Sequence, residues 1–369
     1  MRIAHITDVK DGLAGGIERH VFELAVNQKK RGDSPVVVAP EPGGLTASCE
    51  EYGIPVTIEA RPAGQPVAII DDLCALFKDL GAEVIHCHTP NSAAKALAVG
   101  NRMGIPCVYT LHVDKGLIIP NLGNEFKVPD RYSEFKFPNL EFAVIAVSRR
   151  LFERLKYQGF PEESLYHIPN GTKVVPRGAG GSPRPGLISV GRLDFIKGFD
   201  IAILAMAVLQ RRYGSDCPPL NVYGIGAMEE QLKEMVSILS LDNTVRFHGV
   251  QLGILERCPA SDILIVSSRM EAGPLVAVEA MSRGMPIVAT RVGEIEEMIP
   301  DQRYGYIVRT GSILALADGI ESMLSDVRAG RFDPELPISR HRALYALDIL
   351  VERVDAVYKR LTTRNASAR

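Results

Sequence analysis

The chain has 369 residues and a mass of 40.3 kDa, too long for one ordinary domain and about right for two at roughly 100–200 residues each. With 46% hydrophobic and 23% charged residues and a mean hydropathy of +0.06, it can bury sizeable cores, which excludes a largely disordered chain. The 42 Lys and Arg against 44 Asp and Glu give a formal net charge of −2, so no global field draws it to nucleic acid or anionic lipid.

Met1–Asp8 reads as a short strand with no apolar signal core behind it, and no run approaches ~18 apolar residues. The six cysteines lie apart without a C-x-x-C pair or zinc spacing, which fits a reducing, cytoplasmic setting with peripheral membrane attachment left open. Strand candidates in the first half are 2–6, 36–39, 84–87, 108–110 and 143–147. They alternate with helix candidates near 17–31, 67–80, 91–103 and 148–158. Residues 173–186, dense in Pro and Gly, read as a linker. A second α/β series has strands at 187–190, 220–223, 245–247, 263–266, 287–290 and 306–308, and helices near 199–213, 227–241, 275–284 and 312–327. An amphipathic stripe of Leu344, Leu347, Val351, Val354, Tyr358 and Leu361 predicts one last helix over 340–361, followed by a frayed polar tail. Alternation of this kind implies parallel, doubly wound sheets. The expected division is a first domain at 1–172, the linker 173–186, a second domain at 187–338, a helix at 339–361 packing back toward the first domain, and a tail at 362–369.

Three loops carry chemistry. Asp11–Arg19 follows the first strand, and its Gly15-Gly16 opens a helix. Backbone amides there could seat an anion, or the segment is an ordinary strand-to-helix turn; it is neither G-x-G-x-x-G nor a Walker loop. Val190–Gly198 opens the second half, where Arg192 and Lys197 could converge on one phosphate-bearing ligand. Ser267–Met281 holds Glu271 in a loop before Pro274 and Glu279 within the following helix. Carboxylates beside a helix N-terminus suit a hydroxyl-rich ligand that also carries phosphate, which describes a nucleotide sugar.

With Ile168-Pro169-Asn170-Gly171 added, these motifs make the sequence resemble the large retaining glycosyltransferase family of GT-B fold, the Glu-x7-Glu, group 1 (family 4) type, over residues from the first strand to about 310. Val144–Ser148 and Tyr223–Gly226 are weaker matches. The resemblance implies an α/β fold of two Rossmann-like domains facing a central cleft. Arg192 and Lys197 would then hold the donor diphosphate, and Gly15 and Gly16 would approach it. Glu279 would bind the ribose, and Glu271 with the amides of Gly273, Leu275 and Val276 would meet the donor sugar. His112 would lie near the transferred sugar and Gln251 where the base is read. Two departures stand out: Pro274 removes one N–H donor from the sugar loop, and Glu294 replaces a frequent second glycine after Val292-Gly293.

His86 and His88 share one strand face, and with no third ligand near them in sequence no metal site is expected; His88 is a cleft candidate and His86 a structural residue. No cofactor is expected beyond the nucleotide-sugar donor, a UDP-sugar before a GDP-sugar. The acceptor is a hydroxylated molecule in antibiotic or secondary-metabolite, small-molecule glycoside or cell-surface glycan synthesis, with no nucleic acid partner. Residues 1–170 hold 18 basic and 21 acidic residues, which weakens an anionic lipid acceptor. Asp8, Asp11 and Asp114 are candidates for a cationic acceptor such as an aminocyclitol. The aromatic and basic stretch 124–142, with Phe126, Tyr132, Phe135, Phe137 and Phe142, suits an acceptor lid or a membrane contact. A NAD-independent nucleotide-sugar epimerase and a non-catalytic nucleotide-sugar-binding relative are the alternatives.

Overall fold

The computed structural model describes residues 1–9, 15–59, 66–112, 141–177 and 185–367. Asp11, Asp114 and the aromatics Phe126, Tyr132, Phe135 and Phe137 lie outside them. The chain forms two compact units, Met1–Pro169 with Leu347–Arg369, and Asn170–Ala346.

The first unit is built on a seven-stranded, wholly parallel sheet in the order β3-β2-β1-β4-β5-β6-β7. Its strands are β1 (Arg2–Ile6), β2 (Ser34–Ala39), β3 (Val56–Ile58), β4 (Val84–Cys87), β5 (Cys107–Leu111), β6 (Phe142–Ala146) and β7 (Leu165–His167). The edge strands β3 and β7 are not among the strands expected from the sequence. Helix α1 (Gly16–Lys30) follows β1 and α4 (Pro90–Met103) follows β4. Thr89 caps α4 through its side chain, with Pro90 at the first helical position, so sequence chemistry fixes where β4 hands over to helix. The strand order reverses between β1 and β4, and ligands of such sheets bind beyond the carboxyl ends at this point.

The second unit repeats the plan with six parallel strands in the order β10-β9-β8-β11-β12-β13. They are β8 (Leu187–Val190), β9 (Leu220–Tyr223), β10 (Val245–Phe247), β11 (Ile263–Val266), β12 (Ile287–Thr290) and β13 (Tyr306–Val308). Its reversal falls between β8 and β11, the two strands that precede the Arg192/Lys197 and Glu271 loops.

The C-terminal region departs from the single helix expected over 340–361. The chain forms α12 (Glu335–Leu344) in the second unit and α13 (Leu347–Ser367) in the first. The stripe breaks because Tyr345 and Ala346 leave helical geometry to pair with Thr172: the Thr172 amide donates to the Tyr345 carbonyl at 3.0 Å. Tyr345 is buried and hydrogen-bonded to the buried Glu294, which gives Glu294 a structural role where the resemblance offered none. Residues 362–367 are helical rather than frayed, and Asn365 donates to the Gly104 carbonyl at 2.8 Å.

Helix α13 completes the first unit's core. Leu347, Leu350, Val351, Val354, Val357, Tyr358 and Leu361 bury against Ile3, Leu24, Val84, Val108, Ala143 and Ile145. Because Leu350 is 3% exposed, Leu350→Ala leaves a cavity and should cost about 2–5 kcal/mol. Exposed Glu352→Ala should stay within about 0.5 kcal/mol. Denaturant midpoints followed in the first unit check both.

Candidate active site

In the second unit, four loops meet at the carboxyl edge of the sheet by backbone contact. Gly224, after β9, has φ +144°, and a Cβ there would fall 1.9 Å from the Gly191 carbonyl oxygen. A Cβ at Gly198 would fall 2.2 Å from the Ser267 carbonyl oxygen, and one at Gly293 2.2 Å from that of Ala272. Hydrogen bonds run along the same lines. The Gly191 amide donates to the Tyr223 carbonyl at 2.9 Å, and the Leu193 amide donates to Ile225 at 2.9 Å.

Within this frame Asp194 organises the loop after β8. One carboxylate oxygen accepts from the Lys197 amide at 3.1 Å and the other from Arg192 Nε at 2.8 Å. Arg192 stays largely exposed, at 66% of its side chain, so its guanidinium is held at one edge and open at the other. Lys197 Nζ donates to Glu271 Oε1 at 2.5 Å, and Ser268 Oγ donates to the same oxygen at 2.9 Å. The structure therefore brings Arg192, Lys197 and Glu271 together. Glu279 lies half-buried in α9 (Leu275–Ser282), with Gly273, Leu275 and Val276 at its start, and Pro274 occupies the capping position. Asn170 Nδ2 donates to the Gly273 carbonyl at 2.8 Å and fixes this turn. Gln251 is exposed, beyond the stacked pair Tyr223 and His248, whose rings lie 4.7 Å apart.

Two residues that sequence reasoning left without a role hold these loops in place. Arg269 pairs in bidentate fashion with Asp200 at 2.7 and 2.6 Å, donates to the Phe195 carbonyl at 2.8 Å and lies 4.0 Å from the Phe195 ring centroid. Burial works against the Asp200 carboxylate, but the Arg269 hydrogen bonds and charge outweigh it and hold its pKa below the ordinary carboxylate range. The signal was the Arg next to Ser267-Ser268, shortly after a strand, though nothing local in sequence names Asp200 as its partner.

The first unit places its candidates differently. Asp8 is a paired group: Lys95 Nζ donates to it at 2.9 Å and Thr89 Oγ1 at 3.1 Å, while Lys95 also meets Glu59. At the start of α1, Gly15 lies against Glu18, since a Cβ at Gly15 would fall 2.1 Å from Glu18 Oε2. The chain's own carboxylate thus lies at the helix end that the sequence offers to an anion.

His88 lies in a group of five histidines, which corrects the expectation that no further ligand-type residue stands near His86 and His88. Topology explains the gathering: β1 carries His5, β4 carries His86 and precedes His88, β5 precedes His112, and α1 carries His20. Nitrogens of His5, His86 and His88, and of His20, His88 and His112, lie within 4.8 Å of one another. His86 has protein partners on both nitrogens, Tyr358 Oη at 2.5 Å and Thr110 Oγ1 at 2.7 Å. Burial lowers the pKa of His5 to about 4 against an opposing hydrogen bond with the Gln28 side chain. Burial, followed by neighbouring imidazoles, also lowers His86, His88 and His112.

The comparisons with known proteins bear on the family and the fold. The glycosyl transferases group 1 family model matches residues 180–332, and the glycosyltransferase family 4 model matches 14–174. This chain belongs to the group 1 glycosyltransferases. It is 26% identical to a D-inositol 3-phosphate glycosyltransferase of Arthrobacter sp. over 85% of this chain and 79% of that one. It is 24% identical to a glycogen synthase of Mycobacterium tuberculosis over 86% and 84%. Among solved structures, Anabaena HepE in complex with UDP superposes with a TM-score of 0.79 at 20% identity, over 97% of this chain and 100% of that one. A glycosyltransferase from Rickettsia africae gives a TM-score of 0.81 at 17% identity, over 98% of both. The fold of this glycosyltransferase is GT-B.

Two outcomes test the geometry. Gly224→Ala should destabilise the second unit by about 1–3 kcal/mol, read by denaturation, because the Gly191 backbone must move aside for the added methyl. In the first unit, unfolded histidines take up protons near pH 6.5 while buried His5 resists protonation to about pH 4. Stability should be full above about pH 6.5 and fall as pH drops below it, with the His5 share lost by about pH 4. Denaturation against pH should show a shallower fall for His5→Phe.

Proposed function

We propose that this glycosyltransferase moves a sugar from a nucleoside diphosphate, a UDP-sugar before a GDP-sugar, to an acceptor hydroxyl with retention and without a metal on the diphosphate. One observation carries the reading: Arg192 and Lys197, joined through Asp194, sit beside Glu271 where the second sheet reverses its strand order. The UDP held by Anabaena HepE in a similar fold supports the choice of nucleotide.

As the bond from sugar to diphosphate breaks, positive charge spreads over the sugar and negative charge grows on the leaving phosphate. Fixed cations matter most where charge develops, because they are positioned before the step begins. Asp194 holds Arg192 by Nε only, leaving the rest of the fork for phosphate oxygens. Glu271, itself held by the Ser268 hydroxyl, holds the Lys197 ammonium until phosphate competes for it. Glu271 then turns to sugar hydroxyls, Glu279 to the ribose and Gln251 to the base, with the amides of Gly273, Leu275 and Val276 alongside. Gly15, Gly16 and His112 keep the roles that the family resemblance gives them. No protein nucleophile is assigned: the acceptor attacks the face the phosphate leaves, and the phosphate takes its proton.

The acceptor classes are small-molecule glycosides, secondary metabolites including aminocyclitols, and cell-surface glycans. No helix among the described residues is long and apolar enough to cross a membrane, and we place the enzyme in the cytoplasm or peripherally on a membrane.

A thermal-shift panel of nucleoside diphosphates and their sugars, followed by mass spectrometry of products, tests the reading. Arg192→Ala and Lys197→Ala should each lower kcat by about 100–1000-fold with an unchanged melting profile. Near-normal transfer by both would sink the assignment. Donor conversion without any acceptor would point to an epimerase, and binding without transfer to a non-catalytic relative.

A further inference from the structure

The histidines of the first unit form a group that the proposed function does not use. His20 on α1, His88 after β4 and His112 after β5 have ring nitrogens that all lie within 4.8 Å of one another. In sequence no third ligand stands near His86 and His88, yet the strand order brings two to His88.

Hydrogen bonds explain one side of the His88 ring and not the other. His5 Nε2 meets Gln28 Oε1 at 2.7 Å and His5 Nδ1 meets His88 Nε2 at 3.1 Å, both within the ordinary range. On the far side His88 Nδ1 and His112 Nε2 stand 3.4 Å apart, longer than an ordinary hydrogen bond. Two nitrogens on one tetrahedral zinc, with bonds of about 2.0–2.1 Å, lie roughly 3.4 Å apart, and their ring centroids roughly 5 Å apart. The three centroid separations are 4.6 Å for His20 and His112, 5.6 Å for His20 and His88, and 5.7 Å for His88 and His112. Both spacings are those of rings arranged around an ion.

We infer that His20, His88 and His112 form a binding site for one divalent transition-metal ion of the zinc class. His88 Nδ1 and His112 Nε2 are two of its ligands, His20 is the third, and water takes the fourth position. Imidazole nitrogen suits zinc, nickel or copper, whereas magnesium and calcium take oxygen ligands, which this group of three lacks. The other close group, His5, His86 and His88, is a poorer site. Both His86 nitrogens already have partners, Tyr358 Oη at 2.5 Å and Thr110 Oγ1 at 2.7 Å, so an ion there would break a buried hydrogen bond.

The surroundings suit the ion. Coordination at Nδ1 leaves the His88 hydrogen on Nε2, where His5 Nδ1 lies 3.1 Å away to accept it, and outer partners of this kind orient a ligating ring. The ligands come from three separate elements, so the ion ties α1 to the ends of β4 and β5. His20 and His88 are buried and His112 is partly exposed, which leaves the ion a way in. All three ligands belong to the first unit, while the proposed function gives the diphosphate to Arg192 and Lys197 of the second, so neither reading rests on the other.

Metal analysis of the full chain tests the site. After stripping with a chelator and dialysis against zinc, the chain should retain one zinc, and cobalt(II) in its place should show the intense visible absorption of tetrahedral coordination. Zinc, and not magnesium, should raise the melting temperature, because it binds the folded arrangement. His20→Ala and His112→Ala should each weaken zinc binding by about 100-fold or more, and His5→Phe, which removes only the outer partner, by about 10–100-fold. His248→Ala in the second unit should leave binding unchanged. No retained zinc, a pale octahedral cobalt spectrum, or full zinc retention by His112→Ala would each overturn the inference. If His20→Ala fails to fold, the partly exposed His112→Ala decides. Loss of sugar transfer in Arg192→Ala with zinc still bound, or zinc failing to bind a chain that transfers normally, separates this inference from the proposed function.

Discussion

The second unit depends on a backbone contact in which two loops touch with no side chain between them. The Gly191 carbonyl occupies the space where any Cβ at position 224 would lie, and the same holds for Ser267 against Gly198 and Ala272 against Gly293. Each pair joins a loop after one strand to a loop after another. Close approach of this kind needs the glycine, because L residues rarely adopt the φ of +144° at Gly224 and have no room for a Cβ there. The loops are therefore placed by main chain, and the charged side chains they carry inherit fixed origins. Asp194, Arg269 and Asn170 then lock what the backbone has positioned.

The first unit solves the same problem with side chains. Four histidines are held neutral by burial on adjoining strand ends, and neutral rings can be threaded by hydrogen bonds where charged ones would repel. The cost is an interior rich in polar groups, tolerable because the nitrogens of His5, His86 and His88 meet partners. That interior is closed by α13, a segment that the whole second unit separates in sequence from the rest of the first. The core of the first unit is therefore completed by a contact across the whole second unit in sequence, whose loop-closure cost grows only slowly with the length between.

These two solutions account for what the sequence could and could not reveal. Strands of four to six apolar residues, capped helices such as Thr89-Pro90, and the loops holding Arg192, Lys197 and Glu271 follow local rules and are legible. The edge strands Val56–Ile58 and Leu165–His167 are not, although the equally short Val245–Phe247 and Tyr306–Val308 are. The break at Tyr345–Ala346 is also hidden: the apolar stripe continues through it, and only the pairing with Thr172 stops the helix. Histidines 5, 20, 86, 88 and 112 look scattered along the chain, and the strand order alone gathers them. Asp194 stood inside a recognised motif, yet its hydrogen bonds to both ends of the loop are a matter of geometry that spacing does not encode.

The charge at the end of β1 bears on what the acceptor can be. Asp8 looked like a bare carboxylate for a cationic acceptor, but the structure gives it Lys95, and Lys95 has Glu59 as well. Burial works against the Lys95 ammonium, yet the two carboxylates outweigh it and raise its pKa, so the ammonium stays charged between them. One cation between two anions leaves a single negative charge, and it is shared over a hydrogen-bonded cluster. Such a cluster attracts a cation at a distance without offering it a free carboxylate. A direct ion pair to Asp8 would have to displace Lys95, stranding a mostly buried ammonium with one partner fewer, at a desolvation cost that an exposed contact does not repay. If the acceptor carries amines, Asp8 acts on them through the field of the cluster, and the contacts that distinguish one amine from another belong to other residues.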